Sequence, residues 1–322
     1  MKPIASLSLD LDNLWSYMKT HGDLGWESFP SYLPTIVPRL LSFFEQRHLR
    51  LTFFLVGQDL VDARNRDALR AIAEAGHEIG NHSFSHEPWL HLQPEAHIED
   101  EIARTEELIE SLVKTRPVGF RGPGYSFSVS TLRVLKRRGY IYDASLLPTW
   151  IGPFARSYYF MTSKLDGDQL QQRQTLFGRF RDCFQPLKIH QAGLELGGML
   201  EIPVTTMPLF RVPIHASYIF YLATFSRDLA LAYFRFGVAL CRLMGIEPSF
   251  LLHPLDFMSS SDAPELASFP AMRLSARTKM ELLSEIIDIY CGAFTVLTLK
   301  EHAERVAAIA THAAEPQQSS VF

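Results

Sequence analysis

Short apolar runs alternate with longer amphipathic stretches through most of this chain. That alternation restricts it to folds in which parallel strands lie side by side, each returned to its neighbour by a helix. Ile4–Leu9 reads as a buried strand, 32–46 as a helix, Leu51–Val56 as a second strand and Asp67–Ala75 as a helix closed by Gly76. A polar helix over Glu95–Val113, a strand over Val118–Phe120 and a helix over Val129–Arg138 continue the series. Order resumes with MLEIPV (Met199–Val204), an aromatic helix from Ala216 to Met244, the strand SFLLH, a helix over Ser275–Tyr290 and the strand AFTVLTL. The number of units favours a closed or nearly closed barrel over an open sheet, so the expected fold class is α/β, a distorted (β/α) barrel.

At 322 residues the chain is long for one domain, yet within the range of such a barrel. A single domain over 1–310 is expected. The pattern loosens over about 148–196, a length that reads as a functional insertion before the last strands, and 311–322 reads as a flexible tail.

With 47% apolar residues, 20% charged residues and a formal charge of -4, the chain can bury a core and has no basic excess to recruit nucleic acid. Cys183, Cys241 and Cys291 are widely separated and in no CxxC spacing, against both a disulfide framework and a thiolate zinc site. The N-terminal MKPIASLSLDLDN holds no apolar stretch long enough for a secretory signal, so a cytoplasmic location is expected. The segment 216–244 is apolar and aromatic, but Arg227, Asp228, Arg235 and Arg242 interrupt it, which makes it a poor membrane span. It reads either as a barrel helix packed on the insertion or as a surface for peripheral membrane contact.

Active sites of such barrels lie at the C-terminal ends of the strands. Asp10, His82, Arg121 and His253 each fall at or just past the end of an expected strand. Period-two geometry puts Asp10 and Asp12 of LSLDLDN on one side of an extended chain. His82 and His86 of GNHSFSH, four apart, are placed to offer two imidazoles to one divalent ion. Two histidines and one carboxylate leave coordination positions open for water and a substrate oxygen, while the second carboxylate takes a proton from water. In FRGPGY, Arg121 offers a fixed cation for a carboxylate, and Gly122, Pro123 and Gly124 shape a stiff loop. His253 is a candidate proton donor to a leaving amine. The bland alternatives are a capped turn for the DxD, structural or core histidines, and a plain turn for FRGPGY.

With these segments assembled, the chain resembles the polysaccharide deacetylase superfamily, the NodB homology domain of carbohydrate esterase family 4, over about residues 4 to 300. HSFSH, RGPGY and LLHP match that family's later motifs, whereas LDLDN departs from its TFDDG motif and is closer to the DxD variant of intracellular-type peptidoglycan deacetylases, allantoinase-like proteins and lipid-linked formamido-arabinose deformylases. YDASL and LEIP also resemble that variant group. The resemblance implies Asp10 as catalytic base, Asp12, His82 and His86 as metal triad, Arg121 as partner of the base and His253 as general acid. It also implies an oxyanion contact from the backbone N–H near Tyr125. The carboxylate that orients His253 has no clean counterpart; Asp143, Glu201 and Asp256 are the candidates, and Asp143 is preferred. Substrate contacts are expected from Tyr125, Pro123 and Trp15, with Tyr17 and Trp26 as further rings that either stack on a sugar or pack under the loop.

The expected activity is metal-dependent removal of an acetyl or formyl group from an amide nitrogen of a carbohydrate, on a precursor or lipid-linked sugar. Zn2+ is the expected ion, with Co2+, Mn2+ or Ni2+ as substitutes. Two rivals stand beside it. A DxD glycosyltransferase would hold Mn2+ and a nucleotide sugar on Asp10 and Asp12 but leave His82, His86 and His253 unused. A catalytically silent carbohydrate-binding protein would keep the fold and the cleft.

Overall fold

The computed structural model describes residues 2–152, 154, 167 and 180–314. Among these described residues nine strands, β1 (Ile4–Asp10), β2 (Thr52–Leu55), β3 (Glu78–Asn81), β4 (Gly119–Phe120), β5 (Tyr142–Asp143), β6 (His190–Ala192), β7 (Met199–Glu201), β8 (Ser249–Leu252) and β9 (Thr295–Leu297), form one sheet. Its order is β6-β7-β5-β4-β3-β2-β1-β8, with β9 paired to the start of β1. Every pairing is parallel except β6 with β7. Just past β7, the Thr205 N–H donates to the Ser249 carbonyl (3.1 Å) and the Ser249 N–H to Thr205 Oγ1 (2.6 Å), drawing the two ends of the sheet together. The result is the distorted α/β barrel expected from the alternation.

Strand β1 lies between β2 and β8 and is buried along almost its whole length, which is why its residues form a near-continuous apolar run with only Ser6 and Ser8 interposed. The helix Leu33–Glu45 turns Leu33, Ile36, Val37, Leu40, Phe43 and Phe44 into the main core. Proline in its first turn is tolerated because the missing N–H has no partner there, but Pro38 removes one interior hydrogen bond.

Three expectations change. The aromatic stretch from Ala216 is two helices, Ala216–Ala223 and Arg227–Leu243, because the Ser226 side chain caps the second by accepting from Leu229 N–H. The end of the expected insertion belongs to the sheet: His190–Ala192 is an antiparallel edge strand, too short to show a period of its own. Residues 153, 155–166 and 168–179 of the insertion lie outside the described residues. At the C-terminus an alanine-rich helix, Leu299–Ala314, runs beyond the expected start of the tail at 311, in keeping with the helix preference of alanine; 315–322 lie outside the described residues.

Close packing under the site gives one stability prediction. A Cβ on Gly119 would sit 1.9 Å from Tyr142 Cζ, and the Tyr142 ring is fully buried with its hydroxyl donating to Glu78 Oε1 (2.8 Å). The ring has nowhere to move, so Gly119→Ala is expected to cost about 3 kcal/mol, read as a lower denaturation midpoint.

Candidate active site

Four of the expected site residues sit at the ends of strands. Asp10 ends β1, His82 follows β3, Arg121 follows β4 and His253 follows β8. The loop after β3 turns sharply, with Ser83 and His86 at positive φ (60 and 47), a conformation that costs a non-glycine residue free energy. Glu101, from the helix Glu95–Val113, holds that turn: its Oε2 accepts from the Phe84 and Ser85 N–H groups (3.0 and 2.7 Å) and its Oε1 from Ser85 Oγ (2.7 Å). The Asn81 side chain accepts from Ser83 N–H (2.9 Å).

So held, the loop brings His82 and His86 to Asp12. Asp12 Oδ1 lies 2.9 Å from His86 Nε2 and 3.3 Å from His82 Nε2. The three buried side chains can each offer one ligand atom within 4.8 Å of the others. His82 Nδ1 is 2.6 Å from the Arg121 carbonyl, which can only accept, so the proton is on Nδ1 and the Nε2 lone pair faces the cluster. Burial pushes the Asp12 carboxyl up, but the charge and hydrogen bonds of His86 and His82 outweigh it and hold Asp12 well below the usual carboxylate range. Burial lowers His82, and the negative charges of Asp10 and Asp12 outweigh that and raise it. A site of two imidazole nitrogens and an ionised carboxylate oxygen fits a divalent ion with open positions.

The second carboxylate stands apart from this cluster. Asp10 Oδ1 accepts from Arg121 Nη1 (2.8 Å), and Asp10 Oδ2 is 4.0 Å from His253 Nε2. Arg121 is fully buried, its other contacts being Ser8 Oγ and the Ala144 carbonyl (both 2.8 Å) and the face of Phe54 (4.5 Å). Ser8 is a site residue that strand periodicity alone does not single out.

His253 is oriented by a residue other than the preferred one. Ser217 Oγ donates to Asp256 Oδ1 (2.9 Å) and accepts from His253 Nδ1 (3.2 Å), while Asp256 Oδ2 accepts from the His253 N–H (2.7 Å). Asp256 reaches its histidine through Ser217 because Pro254 opens a short turn that returns the Asp256 carboxylate to the strand end. Asp143 instead receives hydrogen bonds from Ala144 and Ser145 on its own strand end. His215, which the motifs do not flag, lies with its ring 6.2 Å from that of His253; burial and the nearby His253 charge push it down to about 3.

The substrate-contact expectations divide. Trp15 is 1% exposed, its indole N–H donates to Asp59 Oδ1 (2.8 Å), and its ring packs edge-on against His86. It therefore supports a ligand histidine and offers no face to a sugar. Pro123 is buried within the turn Pro123–Tyr125. Tyr125 and Gly124 line a cavity of about 320 Å³ with Phe127, Leu146 and Arg181, beside the triad and not around it. The Tyr125 N–H donates to the Gly122 carbonyl (3.1 Å), so that amide is used within the turn and not in the cleft. A Cβ on Gly124, at φ 58, would come 2.7 Å from Pro88, which brings the turn tight against the histidine loop.

Asp59 gives a pH prediction. It accepts from Asn13 Nδ2 (2.7 Å) and Trp15 Nε1 (2.8 Å) on one oxygen, the other is buried without a partner, and burial pushes the carboxyl up to about 7. A raised folded value binds a proton that the unfolded chain releases earlier, so this stability is present below the ordinary carboxylate range and lost as pH rises towards 7. Asp59→Asn is expected to flatten that loss, seen as a smaller fall in melting temperature over the same range.

Residues 23–142 match the model of the polysaccharide deacetylase family. A peptidoglycan deacetylase of Helicobacter pylori is 33% identical over 118 residues, 37% of this chain and 39% of that protein. A peptidoglycan-N-acetylglucosamine deacetylase of Bacillus cereus is 30% identical over 107 residues, 33% of this chain and 48% of that one. The chain thus spans less than half the length of these curated relatives. A candidate polysaccharide deacetylase of Mycobacterium smegmatis shares the fold, with a TM-score of 0.63 at 21% identity over 96% of this chain and 92% of that chain. Over residues 23–142 the chain is thus similar to the polysaccharide deacetylase family, and its overall fold is similar to that of the Mycobacterium smegmatis protein.

Proposed function

We propose that this protein is a metal-dependent hydrolase that removes an acetyl or formyl group from an amide nitrogen of a carbohydrate, working as one catalytic unit over about residues 1–310. The observation that carries the reading is the division of the two first-strand carboxylates: Asp12 is committed to His82 and His86, while Asp10 faces His253 and is held by Arg121. A divalent ion on Asp12, His82 and His86 would supply Lewis acidity to the amide carbonyl and to water. This donor set suits Zn2+ first, with Co2+, Mn2+ and Ni2+ as substitutes.

Asp10 accepts the proton from the attacking water, and Arg121 fixes that carboxylate in direction. His253 gives a proton from Nε2 to the departing amine while Ser217 and Asp256 hold its other side. Tyr125 lines the neighbouring cavity; burial and the Asp10 charge keep its phenol protonated, able to donate towards developing negative charge. The neighbouring cavity is sized for a sugar ring with its substituents.

Free thiols at all three cysteines are in keeping with a cytoplasmic site of action, and so with a precursor or lipid-linked sugar. Among the described residues no helix is long and apolar enough to cross a membrane. Tyr221, Leu229 and Phe236 are exposed on the two helices within 216–244 and Phe225 is exposed between them, which supports peripheral contact with a membrane. Purified protein is to be incubated with chitooligosaccharides, peptidoglycan and lipid-linked amino sugars, with each metal in turn. Release of acetate or formate is expected; bound sugar without release would favour a silent binding protein. Full solubility in a flotation assay with anionic liposomes would remove the membrane contact.

A further inference from the structure

Two carboxyl groups outside this chemistry meet beside Arg121. Asp143 and Glu201 are neighbours across the β5–β7 ladder, both are fully buried, and their side chains lie within hydrogen-bonding reach of each other. Asp143 Oδ1 accepts from Ala144 N–H (3.0 Å) and Ser145 Oγ (2.6 Å), and Glu201 Oε1 accepts from Leu146 N–H (2.9 Å). Asp143 Oδ2 and Glu201 Oε2 are left buried with no N–H or O–H donor from any other group. Two ionised carboxylates cannot sit so, but one proton turns one of them into a donor for the other.

The surroundings say which group carries it. Asp143 has two donors on its outer oxygen, Glu201 has one, and Arg121 is the charged group that bears on both. His190, opposite Glu201 on β6, has its Nδ1 3.1 Å from the Lys188 carbonyl. Burial pushes Asp143 up to about 6, and burial together with the Asp143 charge pushes Glu201 well above the usual range. Asp143 is therefore the ionised member.

What the pair grips is the Ala144–Leu146 turn, and that turn docks the base's partner. Arg121 Nε donates to the Ala144 carbonyl (2.8 Å), and the Gly122 N–H donates to Ser145 Oγ (2.7 Å), whose own proton goes to Asp143. We propose that Glu201 Oε2 carries a single proton shared with Asp143 Oδ2, and that this acid–carboxylate pair is the positioning element holding the 144–146 turn, and through it Arg121, against Asp10. The second half of this statement rests on Asp10 being the base.

The substitution Glu201→Gln replaces the shared proton with a permanent N–H donor and keeps the Oε1 acceptor. The infrared difference spectrum of wild type minus E201Q at neutral pH is expected to show a protonated carboxyl stretch. The melting temperature of E201Q is expected to gain on wild type as pH rises, because a raised folded value gives stability that is lost on the alkaline side. Glu201→Leu and Asp143→Asn, which remove the donor or the anion, are expected to lower kcat about tenfold, with E201Q recovering most of that loss and altering the alkaline limb of the pH profile. Identical infrared spectra, or a melting-temperature gap that does not change with pH, would overturn the shared proton; wild-type kcat in E201L would overturn the positioning role. The infrared and thermal readings need no substrate, so they fail independently of the deacylase assignment, which fails only if wild type releases neither acetate nor formate.

Discussion

His82→Ala is expected to purify without divalent metal and to lose amide hydrolysis by about a thousandfold or more, since transition-state charge stabilisation by a metal is worth several kcal/mol. Asp12→Ala is expected to do the same. The cluster of three ligand atoms within 4.8 Å of one another includes no fourth His, Cys, Asp or Glu among the described residues, so losing one breaks the site rather than loosening it. In His82→Ala the Arg121 carbonyl also loses its 2.6 Å partner, a cost of about 1–3 kcal/mol that a circular dichroism melt must show to be survivable. Elemental analysis of wild type beside each variant is the direct measurement. Equal metal content would take the triad out of the site, whereas metal lost with His82 excludes the glycosyltransferase reading, which needs the aspartates alone.

The placement of these residues was legible because strand ends were legible. An apolar run stopping at an aspartate or histidine marks where a buried strand emerges, and Asp10, His82, Arg121 and His253 were all read on that basis. What failed depends on contacts far apart in sequence. Ser217 meets His253 across 36 positions through a helix start that carries no motif, so Asp256 could not be told from Asp143 by spacing. A signal for Asp256 did exist: Pro254 followed by an acid two residues on is the pattern of a helix first turn whose carboxylate bonds back to the residue before the proline. Trp15 shows another limit, because an indole in a polar loop reads alike whether its N–H will find a sugar or, as here, a buried aspartate. Glu101 was hidden for a simpler reason: on a polar helix one acid looks like the next until the loop it satisfies is seen.

Asp10→Asn separates the base from the triad. It is expected to keep full metal content while kcat falls by about 10²- to 10⁴-fold, the usual worth of a positioned general base. The asparagine oxygen can still accept from Arg121 Nη1, so the 2.8 Å contact survives in kind, but the negative charge opposite a fully buried guanidinium is gone. Unpairing a buried ion pair costs about 3–5 kcal/mol when the partner is removed outright. Here Ser8, the Ala144 carbonyl and the face of Phe54 still engage Arg121, so the loss should fall below that range and leave a folded protein. Turnover within tenfold of wild type would instead give the proton to His253, whose Nε2 stands 4.0 Å from that same carboxylate.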